Sequence, residues 1–599
     1  MSRLENSKNQ TQNPASLQKG IKAFLLAAVS AGIVCTAFGY TGMAQAQMQM
    51  QMGLSVPAQH FLFGKSMVHQ AAYREAVAQG TVGGEKLSSD GAAIKAFYEA
   101  RSHKPYWTDS RRNLEKARAV VALLQDSWTQ GLNPDKYHVK ELSALLADGN
   151  RDEDRLELLM TDAAGRYGRD MSGMRVNAAA ANESAKYWRQ PLAYNEILTR
   201  IGNTENPKRV LEDLAPKGVF YNRLREELIR LSRESSQHDS ILPIRLGGKT
   251  FYPGDRSADV AALRTRLGVT HDSRRGPENY YDDETAAAVM TFQRENGLDA
   301  DGVIGPKTLA LLNRDTRAQM AQVIANMERL RWMDEKKPER YILVNIPSQR
   351  LWAVDKGEIA HEMDVIVGKP DRQTKAFRAE IQGIRFNPKW NVPMGIKVKD
   401  FLPKLREDPT YLSQKGIEIY LGTGSERRTI DGTEIDWSSM TRADMSRLTM
   451  VQRQGANNAL GRIRVLMPND YDIYLHDTNA PEYFEKSKRT LSSGCVRMSH
   501  PEDIARFVLS RNEGWSDEKM QRILERGATA EVMASAPFPI YIVYQTMWLD
   551  SEKRLVYGED VYKRDQRLLK VLIDAGELDI SKSVVTRYAD ISGPATKKF

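Results

Sequence analysis

Apolar residues recur at helical spacing through the first half of the chain and at strand spacing through much of the second. From Ala92 to about Leu231 the spacing is helical: Ile94, Phe97 and Tyr98 stand at i, i+3 and i+4 on one face, and Arg155–Tyr167 continues the style. Pro105, Pro134 and Pro191 punctuate this run, so a scaffold of several helices is assigned to residues 85–240. Residues 244–313 form a compact unit of three short helices. Ser257 is placed to cap the first, which bears Val260, Leu263 and Leu267, and Asp283 the second, which bears Val289 and Phe292. Pro306 lies near the first turn of the third, whose apolar residues run from Leu309 to Leu312. A helix over 317–332, within a connecting segment 314–340, carries Met320, Val323, Ile324 and Met327 on one stripe.

Beyond Tyr341 the composition changes. Strands are predicted at Tyr341–Ile346, Leu351–Val354, around Val365–Val367, at Arg462–Leu466 and at Tyr471–His476, with turns at Pro347-Ser348-Gln349 and Asp355-Lys356-Gly357. A long polar, partly helical stretch, 395–455, interrupts this β-region at 341–545, and an insertion of that length reads as a lid. A C-terminal extension, 546–599, ends in a helix over Val561–Ile573. The fold class is therefore multidomain α+β: a helical scaffold, a three-helix unit, and a mainly-β domain with a helical capping insertion.

A chain of 599 residues is too long for one core, and 41% apolar with 27% charged residues excludes whole-chain disorder. The net charge of +9 is spread among many acidic residues, so no nucleic-acid footprint is indicated. Lys19 and Lys22, the apolar run Ala23–Phe38 and the small-residue site Ala44-Gln45-Ala46 have the order of a secretory signal over 1–46, which places the mature protein in the periplasm. The apolar run is shorter than the roughly 20 residues a spanning helix needs. Left uncleaved, it would be the one route to a membrane. The stretch QMQMQM, 47–52, opens a linker over 47–84.

Of the two cysteines, Cys35 lies in the leader, so cleavage leaves Cys495 as a single thiol with no disulfide partner in the chain. Number alone leaves two readings open, a functional thiol or a small buried hydrophobe. The surroundings of Cys495 are more informative. In Tyr471–His476 the residues alternate, with Asp472, Tyr474 and His476 on one face, which sets His476 at a strand end where a base reaches a cleft. Nineteen residues later comes Leu491-Ser492-Ser493-Gly494-Cys495-Val496-Arg497-Met498. Gly494 allows close backbone approach, adjacent N–H groups in such a turn form an oxyanion hole, and His476 raises the thiolate fraction of Cys495. Arg497 lowers the thiol pKa further or holds a substrate carboxylate. With one mature cysteine and no close pair of ligand residues, a zinc site is disfavoured, and no metal or other cofactor is expected.

The strings "IYLHDT" and "SSGCVRM" resemble the catalytic motif of the L,D-transpeptidases, the YkuD-type family, and more specifically its large periplasmic YcbB-like class. "YILVNIPSQRLWAV", "VIVGKPDRQTKAF" and "FNPKWNVP" are similar to the early catalytic strands, and "FQRENGLDADGVIGPKTLALL" resembles a peptidoglycan-binding domain over 244–313. The family often has His where Ser493 stands. The resemblance implies that Cys495 attacks the diaminopimelate carbonyl of a donor tetrapeptide stem. His476 acts as base, and amides near Gly494 and Cys495 hold the oxyanion. D-Ala leaves, and the amine of an acceptor diaminopimelate takes the acyl group in a 3→3 cross-link. It further implies acylation by carbapenems, Tyr474 and Ser492 lining the pocket, and the backbone carbonyl of Asp477 orienting His476. Trp390 stands as either a pocket or a core residue. The partners are thus peptidoglycan stem peptides. An L,D-carboxypeptidase, a transpeptidase anchoring a protein to the wall, and a non-catalytic wall-binding protein are the alternatives.

Overall fold

The computed structural model describes residues 75–578, apart from 76–77, 83–84, 88–90, 150, 238–243, 297, 314, 335–337 and 423–426. The leader, the apolar run and the QMQMQM stretch lie outside the described residues. Thr81–Val82, at the end of the expected linker, pairs with Glu85–Lys86, at the start of the scaffold segment, in a small hairpin.

The scaffold is helical as its periodicity predicts. Helix Gly91–Glu99 buries Ile94, Phe97 and Tyr98, and Glu153–Ser172 buries most of its length. In the three-helix unit the helices are Val260–Leu267, Asp283–Glu295 and Pro306–Leu312, around a core of their own that includes Phe251, Val260, Tyr281, Val289 and Ile304. The caps differ by a residue or two from the sequence reading. Asp282, not Asp283, accepts from Thr285 N at 2.8 Å, and Ser257 Oγ accepts from Asp259 N, ahead of the first helix. Ser257, Asp282 and Asp283 are all residue types that cap, so local sequence does not separate them.

The β-domain is built on β1 (Arg340–Asn345), β2 (Arg350–Asp355), β3 (Glu358–Gly368), β4 (Phe377–Phe386), β5 (Trp390–Asn391), β6 (Ile417–Leu421), β7 (Arg428–Ile430), β8 (Leu448–Gln452), β9 (Ile463–Leu466), β10 (Leu475–His476), β11 (Thr490–Ser492), β12 (Val496–Met498) and β13 (Ala530–Val543). The main sheet runs β11-β3-β12-β10-β9-β4-β13-β1-β2, and β2 also pairs with β3, so eight strands close into a barrel with no free edge. Three neighbouring pairs are parallel, β11 with β3, β10 with β12 and β13 with β1. Inside, Ile342, Val344, Ile384, Val465, Leu475 and Val496 are fully buried, and helix Pro501–Leu509 adds Ile504, Ala505 and Leu509 to the same core.

The insertion is helical only in part. β5, β6, β7 and β8 form a four-stranded sheet, and Trp390, Phe401, Leu405, Ile419, Trp437 and Met450 give it a separate core. Its strands are two to five residues long, too short for a polar-rich stretch to reveal them by alternation.

The connecting helix is Thr316–Arg331. It is buried on nearly every side, and it buries charge along with the apolar stripe. Glu328 accepts from Arg175 Nε at 2.8 Å and Arg331 Nη2 at 2.6 Å. Burial alone would raise the Glu328 carboxyl, but these two guanidiniums hold it down at about 2. The chain after β13 forms a hairpin, Met547–Leu549 with Leu555–Tyr557, and then helix Arg564–Asp574, which begins three residues later than its sequence pattern predicts. Met547, Tyr562, Leu568 and Leu572 belong to the barrel core, and Glu577 pairs with Arg166 and Arg175 of the scaffold. The last described residues therefore tie scaffold, connecting helix and barrel together.

Candidate active site

β10 and β12 bring the candidate pair together. Leu475 pairs with Val496, and His476 with Arg497. Leu475, Val496 and Met498 point into the core, so alternation sends Tyr474, His476, Cys495 and Arg497 to the opposite face. Cys495 stands two residues before Arg497, which makes it a diagonal neighbour of His476 across adjacent strands, a spacing that longer side chains bridge. The regular strand is shorter than the expected Tyr471–His476: Asp472 takes φ +52°, and pairing begins only at Leu475.

The nucleophile turn is held from within. Ser492 Oγ accepts from Gly494 N at 3.1 Å and donates to Cys495 O at 2.6 Å, so this buried hydroxyl is occupied by its own turn. Gly494 has φ +124°, a conformation that favours glycine. Its N–H is engaged by Ser492 and its carbonyl accepts from Thr374 Oγ1 at 2.8 Å. Ser493 is exposed and accepts from Arg372 Nη1 at 3.1 Å. The same guanidinium grips Asp400 of the capping insertion through both nitrogens, one contact measuring 2.7 Å. Arg372 thus joins the cap to the nucleophile turn.

Cys495 Sγ donates to Asp472 O at 3.8 Å. Burial raises the thiol pKa, opposed by the backbone of Tyr474, the Arg464 guanidinium, the Tyr474 hydroxyl and Arg497. The net direction is upward. The expected lowering by Arg497 is present but is outweighed by desolvation. His476 is buried and pushed down to about 3, first by burial, then by Arg497, with Arg464 adding to it. The backbone of Asp477 and of Leu460 works the other way, favouring the charged ring, yet Nδ1 has no hydrogen bond of normal geometry. Both shifts favour the neutral thiol and the neutral imidazole over a preformed ion pair. The Asp477 carboxylate accepts from Arg462 N at 2.8 Å and Thr478 N at 2.6 Å, and Gly461, φ +61°, leaves the space it fills.

Tyr474 packs against both the barrel core and the cap core. Its ring is 5.6 Å from that of His476, and burial and the neighbouring Cys495 raise its hydroxyl. Trp390 is 9% exposed and packs in the cap core, with its indole beside the Tyr474 hydroxyl. Arg464 is the residue that sequence reasoning missed. Its guanidinium lies 3.9 Å over the Tyr474 ring. It pairs laterally with His476 on one side and Arg385 on the other, so the row reads Glu531, Arg385, Arg464, His476, Arg497 across five strands. An arginine on a predicted strand was visible in the sequence; the register that sets it beside His476 was not. Among the described residues no cluster of three His, Cys, Asp or Glu side chains could hold a metal, and no helix is long and apolar enough to cross a membrane.

Comparison with known proteins agrees with this geometry. Residues 339–527 match the family model described as the L,D-transpeptidase catalytic domain, 256–312 that of a putative peptidoglycan binding domain, and 92–228 that of a scaffold domain. A protein of Haemophilus influenzae named "Putative L,D-transpeptidase" is 31% identical over 227 residues, which are 38% of this chain and 45% of that protein. An L,D-transpeptidase structure from Mycobacterium smegmatis is 14% identical, covering 34% of this chain and 58% of that one at a TM-score of 0.17. One from Stackebrandtia nassauensis is 12% identical, covering 49% and 94% at a TM-score of 0.18. Overlaps this low add nothing to the sequence match. The His476 and Cys495 strands lie within the matched segment, so the candidate pair stands in the part of the chain that is similar to L,D-transpeptidase catalytic domains, on one chain with a segment similar to a peptidoglycan-binding domain.

Proposed function

We propose that the protein forms 3→3 cross-links in peptidoglycan through an acyl-enzyme on Cys495. His476 takes the thiol proton as Sγ adds to the diaminopimelate carbonyl of a donor tetrapeptide. The tetrahedral oxyanion faces the Cys495 N–H and the Tyr474 hydroxyl, because the Gly494 N–H is engaged by Ser492. The C–N bond to D-Ala breaks, the imidazolium returns its proton to the leaving amine, and a thioester remains. The amine of a second diaminopimelate then attacks, His476 takes the surplus proton, and the thiolate leaves. The leader-like segment over 1–46 supports a periplasmic site for this reaction. The observation that carries the reading is the register of β10 on β12, which sets His476 and Cys495 on one face beneath a cap.

Wild-type protein incubated with a disaccharide tetrapeptide should yield a Cys495 adduct and cross-linked dimers by mass spectrometry. Cys495→Ala should keep the fold and give neither, since coupled catalytic residues fail together. Dimers from the Ala variant would sink the proposal. Products ending only in tripeptide would favour hydrolysis, the L,D-carboxypeptidase outcome, and transfer to a protein lysine would favour anchoring.

A further inference from the structure

A groove of about 400 Å³ opens beside the nucleophile, lined by Gln382, Arg385, Arg464, Asp472, Tyr474 and Glu531 among others. It adjoins the thiol, since Asp472, whose carbonyl accepts from Sγ, and Tyr474 both line it. Its charges are unequally satisfied. Arg385 donates from Nε to Glu531 at 2.6 Å. Arg464, although flanked laterally by Arg385, makes no hydrogen bond or ion pair among the described residues, and its Nε is buried without a partner. Like charges opposite one another on adjacent strands cost stability, and here the second guanidinium lacks the carboxylate that neutralises the first. Stacking on Tyr474 fixes its plane, which leaves the fork of Nη donors directed by packing and free of internal acceptors. Asp472 is exposed and lines the same groove, and its carboxylate likewise has no partner among the described residues. One free cation and one free anion in a groove at the reacting sulfur match a ligand carrying both an ammonium and a carboxylate.

We propose that Arg464 is a specificity-determining residue: it receives the carboxylate of an amino-acid zwitterion on the peptide substrate, and Asp472 faces the adjacent ammonium. This rests on the acyl-enzyme reading above, and deepens it. The free end of diaminopimelate carries that zwitterion in both donor and acceptor, so two arms separate the sources. In the first, Cys495 acylation is timed with a diaminopimelate tetrapeptide and with the same peptide amidated at that carboxylate. In the second, the acyl-enzyme is formed first and transfer is timed to each peptide as acceptor.

Wild-type enzyme should prefer the free acid over the amide by ~10- to 100-fold at one of the two steps, the range of a charge-assisted hydrogen bond. Arg464→Gln should abolish that preference, raising KM for the free acid more than it lowers kcat, and Arg464→Lys should restore part of it. The step at which the preference is lost identifies the peptide that occupies the groove. Asp472→Asn supplies a variant independent of the arginine: it should weaken discrimination between the free and N-acetylated ammonium. A full preference retained by Arg464→Gln at both steps, or none in the wild type, overturns the assignment. Calorimetric binding of the two peptides to Cys495→Ala tests the groove without chemistry, so a failure of the acyl-enzyme reading is told apart from a failure of this one.

Discussion

Replacing Arg497 by glutamine should move the acid limb of Cys495 acylation toward neutral pH. Arg497 and His476 are lateral neighbours on β12 and β10, and their charges lie roughly 6 Å apart by strand spacing plus side-chain reach. At an effective dielectric near 20, two such charges repel by about 2–3 kcal/mol, and a discount for the remaining solvent exposure of Arg497 leaves about 1–2 pKa units. The imidazole, held near 3 by burial, Arg497 and Arg464, would then rise to about 4–5. The assay is the rate of adduct formation at saturating donor tetrapeptide between pH 4.5 and 8, each rate scaled to the variant's own plateau. The wild type should stay flat down to pH 4.5. Arg497→Gln should lose about half its plateau near pH 5, and Arg497→Lys, which keeps the cation, should track the wild type. A limb that coincides in wild type and the Gln variant, or that moves equally in the Lys variant, would refute the claim that the Arg497 charge keeps His476 neutral.

Three further outcomes follow from the same structure. The folded pKa of His476 lies near 3, below the unfolded value. The unfolded chain therefore binds the proton first, and stability is full above about pH 6.5 and falls by up to ~1.4 kcal/mol per pH unit down to pH 3. Urea unfolding at pH 7.5 and 5 should show this loss in the wild type and a smaller one in His476→Gln. Glu328→Gln leaves Arg175 and Arg331 facing a neutral amide while fully buried, and should cost ~3–5 kcal/mol; an unchanged thermal midpoint would contradict it. Asp400→Asn weakens the bridge from the cap to Arg372 and Ser493. It should raise KM for the donor several-fold and speed proteolysis within 390–460, with a stability change of ~1 kcal/mol or less because the pair is partly exposed.

The chemistry was more legible in the sequence than the framework that positions it. Cys495 and His476 stood out because a lone thiol and a strand-end imidazole are rare residue types in an informative local order. Long apolar strands such as β1 and the Gly91–Glu99 helix were readable for the same local reason. Register was not, since alternation fixes which face a residue takes but not which residue lies beside it. That is why Arg464 went unnoticed although its strand was expected. Asp472 shortened β10 through a left-handed turn that an alternating pattern conceals, and the cap sheet was hidden by strands of two to five residues. Gly494 was expected to serve substrate access and oxyanion binding. Its φ angle and the bond its N–H donates to Ser492 give it a first role in shaping the turn.

The docking of helix Arg564–Asp574 bears on the order in which the enzyme becomes competent. Tyr562 donates to Gly368 O, and Arg564 Nη2 donates to Thr374 O at 2.8 Å. Thr374 in turn holds the Gly494 carbonyl of the nucleophile turn. The segment that steadies the reactive sulfur thus emerges during synthesis only after the whole 339–527 stretch that matches the catalytic-domain model. Nascent chains would first have the barrel strands with an unbraced turn, and gain a braced one only once Tyr562 and Arg564 have emerged. A chain ending at residue 545 would preserve every residue assigned to bond-making here and still be left in that earlier state.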